Sequence, residues 1–535
     1  MDGADLTLEE LKVLREVNRT LDDLLEESLK AREGLAETFK RIFPPTLHLI
    51  GARGIAVTTK NEELVEETFT HGDLGGVDPS RLTHETGFGV TRLENGDTLV
   101  SQSLDLVGHH VGSLSVVFAG DRTKDAPRLS RLVETIAEEL DTVLASIHTA
   151  AEKHQLLVAI NRSLSNRVFE IGMDGAVRAM CEQVKLPGFC LLYRDPLEPS
   201  ALHYRIYTYG QLEYASNGRA LEPLADAIRR FGPALVAPHD KHLKEVWGNR
   251  RAVETVLISG FSEASALGKI LVWNTNGESF SAFTMELLHL VASTLSQRLI
   301  DYNRERIHLA QFFSTPAIDK LLRDPDYERR YLHPRAEDIG ILFADINGFT
   351  RICEQVLERP ERIGTFVDDW SEEAVRIVHR HGGVFDKMVG DCVIGLWGPP
   401  FFADSRAERA GAAVKAAIEI QRFTRETMSA HPEVSRLSEL LKLPGLGVAI
   451  GVNLAHSFCG LFGPNRNYTA FSTGMNQTAR LQALGGFRET LVMEAALEAL
   501  KDLKDPQLDA LRFGPIQETP VKNVAQPLRY AKLVD

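Results

Sequence analysis

The spacing of apolar positions changes several times along the chain. Over 6–43, Leu11, Leu14, Leu21 and Leu25 recur among charges at helical spacing, and Phe43-Pro44-Pro45 follows as a stop. From 46 to about 120 the pattern becomes that of strands, in TLHLIGARGIAVTT, FGVTRLENGDTLVSQSL and VGSLSVVFAG, with Asn95-Gly96-Asp97 as a hairpin turn. A long helix is predicted over about 128–165. Its Val133, Ile136, Leu140, Val143, Ile147, Ala150, His154 and Leu157 alternate by three and four, a heptad seam that favours a coiled coil over a helix packed on its own domain. The layout then repeats: strands in GFCLLYRD, ALHYRIYTYG and GKILVWNTN, and a second long helix over 280–313. The charged stretch RDPDYERRYLHPRAED (323–338) leads into a different domain.

Length adds a domain count. A chain of 535 residues suggests roughly three to four domains. The segments expected are an N-terminal helix (1–45), two helix-and-sheet units (46–150 and 151–313), a linker (314–334) and a last domain (335–535). The net charge of −14, from 60 basic and 74 acidic residues, argues against nucleic acid as a partner. Cys181, Cys190, Cys353, Cys392 and Cys459 are scattered and form no C-x-x-C pair, which fits a reducing compartment rather than a disulfide or zinc framework. No apolar run approaches the ~20 residues of a membrane helix, and the N-terminus is acidic and polar. The expectation is a cytoplasmic protein without membrane insertion.

Chemistry concentrates in the last 200 or so residues. The buried-strand pattern DIGILFADI ends on Asp345, and a tight turn, Asn347-Gly348-Phe349-Thr350, enters a helix. A carboxylate there needs compensation, which a divalent cation supplies, and backbone N–H groups of such a turn suit a phosphate. Read alone, Asp345 is a helix cap. A second stretch, HGGVFDKMVGDCVIGLWG, reads as strand, two-residue turn, strand, with Asp391 at the turn and Lys387 four residues before it. Two strand-end aspartates can converge on metal. In NYTAFSTGMNQTARLQ, helical from Ser472, Asn476 and Arg480 share one face and make a clamp for an anionic transition state. The ordinary alternatives are a solvated Lys387, a surface Arg480 and a helix-face Asn476.

FADINGFT, HGGVFDKMVGD, YTAFSTGMNQTARL and VKNVAQPLRYAKL occur in that order over 335–535, and together resemble the catalytic domain of class III nucleotidyl cyclases. The resemblance implies a ferredoxin-like palm working as a head-to-tail homodimer. It implies that Asp345, Asp391 and the Ile346 carbonyl bind two Mg²⁺ or Mn²⁺ ions per active site. Asn347, Gly348, Phe349 and Thr350 would hold the β- and γ-phosphates, Lys387 and Thr469 the purine, Asn476 and Arg480 the ribose and α-phosphate, and Lys522 the triphosphate. The aspartates would come from one protomer and the other side chains from its partner. Ser472-Thr473 and Ala455 depart from the family, which often has Gly-Asp and Gly there. More loosely, the layout of the first 310 or so residues, with GSLSVVFAG and GKILVWNTNGESFSAFTMELLHLVASTLSQRL, resembles tandem GAF domains, small-molecule sensor modules. The N-K-x-F-D-E signature of the cyclic-nucleotide-binding subset is missing. Ligand binding and pure dimerisation stay open for each unit.

The fold class expected is therefore α+β and multidomain, two GAF-like sensors joined by long helices to the palm. The function expected is a phosphorus–oxygen lyase, an adenylate cyclase that makes 3′,5′-cyclic AMP from ATP. A lysine donates and a threonine hydroxyl accepts, which matches adenine; guanine would want an acceptor at Lys387. The alternatives are a silent sensor and dimerisation protein, or a cyclase for GTP or a pyrimidine nucleotide.

Overall fold

The hairpin turn predicted at Asn95-Gly96-Asp97 lies in residues 93–97, which join β3 (Phe88–Arg92) to β4 (Thr98–Leu106), with Gly96 at φ +86° and the Asp97 N–H donating to Asn95 Oδ1 (2.9 Å). The protein is seen here as a computed structural model describing residues 8–31, 33–61, 63–78, 88–106, 109–184, 186–198, 200–247, 252–258, 266–274, 279–428, 431–434, 445–522 and 526–534. It forms two compact units, Met1–Arg162 and Ser163–Asp535.

In the first unit the N-terminal helix is two helices, α1 (Leu8–Ala31) and α2 (Leu35–Ile50). Pro44 and Pro45 do not stop α2, so the expected strand character of 46–50 is also absent. The carbonyls deprived of a partner by the two prolines belong to Lys40 and Arg41, which are exposed to water. Meanwhile Leu35, Phe39, Ile42, Phe43 and Leu47 anchor the buried face against Val17, Leu21 and Leu25 of α1. Strands β1 (Gly54–Lys60), β2 (Glu66–Gly72), β3, β4 and β5 (His109–Phe118) pair antiparallel in the order β2-β1-β5-β4-β3. Helix α3 (Ala126–Leu164) buries Val133, Ile136, Leu140 and Val143 in the core of this unit, so the first half of the heptad seam is used within the chain. Ala150 and His154 further along are exposed.

The second unit opens with α4 (Phe169–Val184), β6 (Gly188–Arg194), β7 (Leu202–Thr208), β8 (Gln211–Ala215), α5 (Glu222–Phe231), α6 (Lys241–Trp247), β9 (Ala252–Ile258), β10 (Ala266–Trp273) and the long α7 (Ala282–Ala310). Its antiparallel sheet runs β8-β7-β6-β10-β9. Counted within each sheet, both keep the strand run 2-1-5-4, and the third strand lies on opposite edges. Residues 315–332, expected as a linker, pack one side against the sheet that follows and leave the other to water. Helix α8 (Thr315–Leu321) and the turn to Leu332 lay Ile318, Leu321, Tyr327 and Leu332 on the sheet that follows.

That sheet is built as β11 (Arg335–Ile346), α9 (Phe349–Ile352), α10 (Pro360–Arg380), β12 (Val384–Val389), β13 (Cys392–Trp397), α11 (Arg406–Glu426) and β14 (Val448–Phe462). The order β12-β13-β11-β14, with every neighbour antiparallel, is the ferredoxin-like arrangement. Next come β15 (Asn467–Phe471), α12 (Thr473–Leu484), β16 (Thr490–Met493), α13 (Glu494–Leu500), α14 (Pro506–Asp509), β17 (Arg512–Phe513), β18 (Gln517–Thr519) and β19 (Leu528–Val534). Strands β16, β19 and β17 extend the sheet beyond β14. The apolar run of β11 is buried on both faces. Leu342, Ala344 and Ile346 meet Phe366, Trp370 and Val414 of α10 and α11, while Ile339, Ile341 and Phe343 meet Phe312, Phe313 and Ile318.

Candidate active site

Asp345 is half-buried near the end of β11. Asp391 occupies the two-residue turn after β12, where Gly390 has φ +65° and Val389 pairs with Cys392. The hairpin brings Asp391 to β11: its Oδ2 accepts from the Ile346 N–H at 3.0 Å. Burial, and then the Asp345 charge, push the Asp391 carboxyl up to about 6. Burial also raises Asp345, against hydrogen bonds from Asp391 and Gln482. Two carboxylates that resist joint ionisation, beside the Ile346 carbonyl, form the oxygen-rich donor set that suits a hard divalent cation. Among the described residues no group of three or more His, Cys, Asp or Glu gathers as a metal cluster, so water and phosphate oxygens would complete any coordination shell.

The turn after Asp345 has its own supports. Gly348 lies in the left-handed region at φ +69°, and its carbonyl accepts from the Ile352 N–H (3.1 Å) as α9 begins. Asn347 ties the turn inward: its N–H donates to the Gly447 carbonyl (3.0 Å), and its Oδ1 accepts from the Arg488 N–H (3.1 Å). Phe349 is half-buried and Thr350 exposed.

Lys387 and Thr469 come from β12 and β15, and Lys387 Nζ donates to Thr469 Oγ1 at 3.1 Å. Ser472 caps α12, its Oγ accepting from the Met475 N–H at 3.1 Å. A Cβ at Gly474 would lie 2.2 Å from that of Ala455, so the alanine at 455 is accommodated by glycine at 474. Asn476 and Arg480 are exposed on α12, and Lys522 is exposed after β18. None of the three side chains makes a hydrogen bond or ion pair among the described residues. The chain thus gathers Asp345, Asp391 and Ile346 in one place and Lys387 with Thr469 in another, and leaves Asn476, Arg480 and Lys522 facing water.

Two further residues emerge only here. Gln482 Nε2 donates to Asp345 Oδ2 at 3.4 Å, from the side of α12 away from Arg480. Its place two positions after Arg480 was the available signal, since residues two apart on a helix diverge. Asp386 is buried on the face that Val384 shares, and nothing in the alternation of β12 announces its contact with Lys387.

Residues 332–524 match the family of the adenylate and guanylate cyclase catalytic domain. The C-terminal part of the chain therefore carries a nucleotidyl cyclase domain, with the corresponding fold. Solved structures similar to it include the adenylyl cyclase CyaB from P. aeruginosa, 24% identical over 38% of this chain and 97% of that one, with a TM-score of 0.33. The guanylyl cyclase Cya2 is 22% identical over 38% and 94%, at 0.32. The guanylate cyclase domain of RhGC from Catenaria anguillulae, in complex with GTP, is 17% identical over 37% and 98%, at 0.30. No curated protein matches the chain. Among the described residues, no helix is long and apolar enough to cross a membrane.

Proposed function

We propose that this chain is an adenylate cyclase that converts ATP to 3′,5′-cyclic AMP and pyrophosphate. The observation that carries the base assignment is the Lys387–Thr469 contact, Nζ to Oγ1 at 3.1 Å. Adenine offers an acceptor at N1 and a donor at its 6-amino group. Lys387 only donates, and Thr469 has an oxygen that accepts. Guanine reverses both demands and would leave polar groups unpaired.

Asp345, Asp391 and the Ile346 carbonyl would hold Mg²⁺ or Mn²⁺. Such ions, when bound, lower the pKa of the ribose 3′-hydroxyl and offset phosphate charge. The turn from Asn347 to Thr350 presents its backbone to the β- and γ-phosphates. Asn476 orients the ribose, Arg480 steadies charge on the α-phosphate as the 3′-oxygen attacks, and Lys522 grips the triphosphate. Exposure of these three supports a homodimer in which they serve the partner's aspartates. A ladder of aromatic rings supports the same reading. Phe458 lies tilted against Phe462 at 5.4 Å and Phe462 edge-to-face with Phe471 at 5.1 Å on β14 and β15, and Phe458 and Phe471 are 46% and 56% exposed.

The two N-terminal sheets act as GAF-like sensors, and their shared strand run supports a repeated module. Helix α7 is the output. Its end places the Phe312 carbonyl on the Phe385 N–H (3.0 Å) and the Phe313 ring on Tyr468 (5.2 Å), next to the strands of Lys387 and Thr469.

The test is turnover by the purified full chain with ATP, GTP, CTP and UTP in turn, under Mg²⁺ or Mn²⁺, beside Asp345→Ala. Cyclic AMP from ATP, lost in the variant, is expected. A cyclic product from GTP in preference would sink the base assignment.

A further inference from the structure

Asp386 immediately precedes Lys387, and regular strand alternation would put their side chains on opposite faces. The ladder slips at this point: β12 and β13 change register between Phe385 and Lys387, which leaves Asp386 as the extra residue of a bulge. Its Oδ2 lies 3.5 Å from Lys387 Nζ. The Asp386 side chain is wholly buried, yet neither of its oxygens has a hydrogen bond. Its charge is also felt by the buried Cys459 thiol. Folding alone gives no reason for such a group, because a buried carboxylate without hydrogen bonds costs stability.

The reason lies in its two neighbours. Burial raises the Asp386 pKa, and the Thr469 hydroxyl and Lys387 ammonium are the groups that oppose the rise. Thr469 Oγ1 already accepts from Lys387. The Asp386 carboxylate, 3.5 Å from Lys387 Nζ, therefore anchors the ammonium that donates to Thr469 Oγ1. An ammonium held in place shows a ligand donors and no acceptor, which suits adenine N1 and opposes the guanine N1–H. A lysine free to swing away would leave guanine unopposed.

We propose that Asp386 is a positioning residue for base selection, whose buried carboxylate pairs with Lys387 and holds it as a donor beside Thr469, so that the pair takes adenine and refuses guanine. The inference rests on Lys387 and Thr469 being the base-contacting pair.

Its test uses the full chain with Mg²⁺ and two nucleotides that lack the attacking hydroxyl, 3′-deoxy-ATP and 3′-deoxy-GTP. Affinities are read by calorimetry, beside thermal melting, for wild type, Asp386→Asn, Asp386→Leu and Lys387→Glu. Both Asp386 variants are expected to lose at least tenfold in the adenine-to-guanine affinity ratio while melting no lower than wild type. A residue that merely held the strand would show the reverse, with both affinities falling together and melting falling with them. A ratio within twofold of wild type in both variants, or unfolding of both, overturns the proposal. If wild type shows no adenine preference, or Lys387→Glu keeps it, the base-contact reading itself fails and takes this one with it. If Lys387→Glu abolishes the preference and the Asp386 variants keep it, only the role of Asp386 is refuted.

Discussion

Asp391 keeps its proton to a higher pH than an ordinary carboxyl, up to about 6 rather than 3.8. A raised folded-state pKa on an acid favours folding only while the acid is protonated. That contribution is complete below the ordinary value and is lost as pH rises through about 6. At pH 7.5 without divalent ions the carboxylate pair should cost about 1–2 kcal/mol, allowing for its partial exposure. Asp391→Asn should therefore raise the melting temperature by a few degrees at pH 7.5 and leave it unchanged near pH 4, while abolishing turnover. Mg²⁺ should stabilise wild type at pH 7.5 and not the variant. Identical melting curves for the two chains across that range would refute the account. The sequence made Asp345 and Asp391 legible because each lies in a short motif whose strand and turn predict its place, whereas Lys387 and Thr469 are paired only through the family resemblance. It hid Asp386 because a one-residue slip between strands leaves no local mark. It hid Gln482 because that contact depends on how α12 lies over β11.

Among the elements, α7 shows most clearly how the second unit is tied together. Arg306 is buried on it, with Nη2 3.2 Å from Asp195 Oδ2 and Nη1 2.5 Å from Asp319 Oδ1. Burial pushes Asp195 up, but hydrogen bonds from His203 and the Leu197 N–H, with the Arg306 charge, outweigh it and hold it at about 2. Removing the arginine strands a buried carboxylate, so Arg306→Met should destabilise this unit by about 3 kcal/mol. Urea unfolding followed by tryptophan fluorescence reads that loss, and a midpoint unchanged from wild type would contradict it. Periodicity made α3 and α7 legible to within a few residues. It misjudged Pro44 and Pro45, since a proline rule takes no account of a helix face held by Phe39, Ile42 and Phe43. It also favoured a coiled coil for the first half of the α3 seam, which packs within its unit, because apolar spacing is the same whether a sheet or another helix covers it.

For the whole molecule, the cyclase domain has no clean cut at 335. Phe312, Phe313, Ile318, Leu321 and Leu332 cover one face of its sheet. A fragment of residues 335–535 should bare Ile339, Ile341 and Phe343, bind a hydrophobic dye and aggregate, whereas one starting near 305 should remain monodisperse by light scattering. If activity arises between two copies, mixing Asp345→Ala with Arg480→Ala chains should restore about a quarter of wild-type turnover, because half the dimers carry one intact site of two. No recovery on mixing would place both halves of the site in one chain. None of this was written in the composition, which bounded charge and size but not which surfaces meet.

Strand β11 pairs with β13 on one side and with β14 on the other, and both its faces are covered. Its central amides, Gly340 to Ala344, have no local opening through which deuterium can enter and should exchange only when the domain unfolds. The Asn347 N–H is still held by the Gly447 carbonyl, and only at Gly348 does the chain leave the ladder for a turn. In a deuterium-labelling map slow and fast amides would thus lie a few positions apart, with Asp345 between them. A ligand atom set at that border has a fixed origin and a yielding neighbour, so the chain can close around successive nucleotides without moving the point from which it closes.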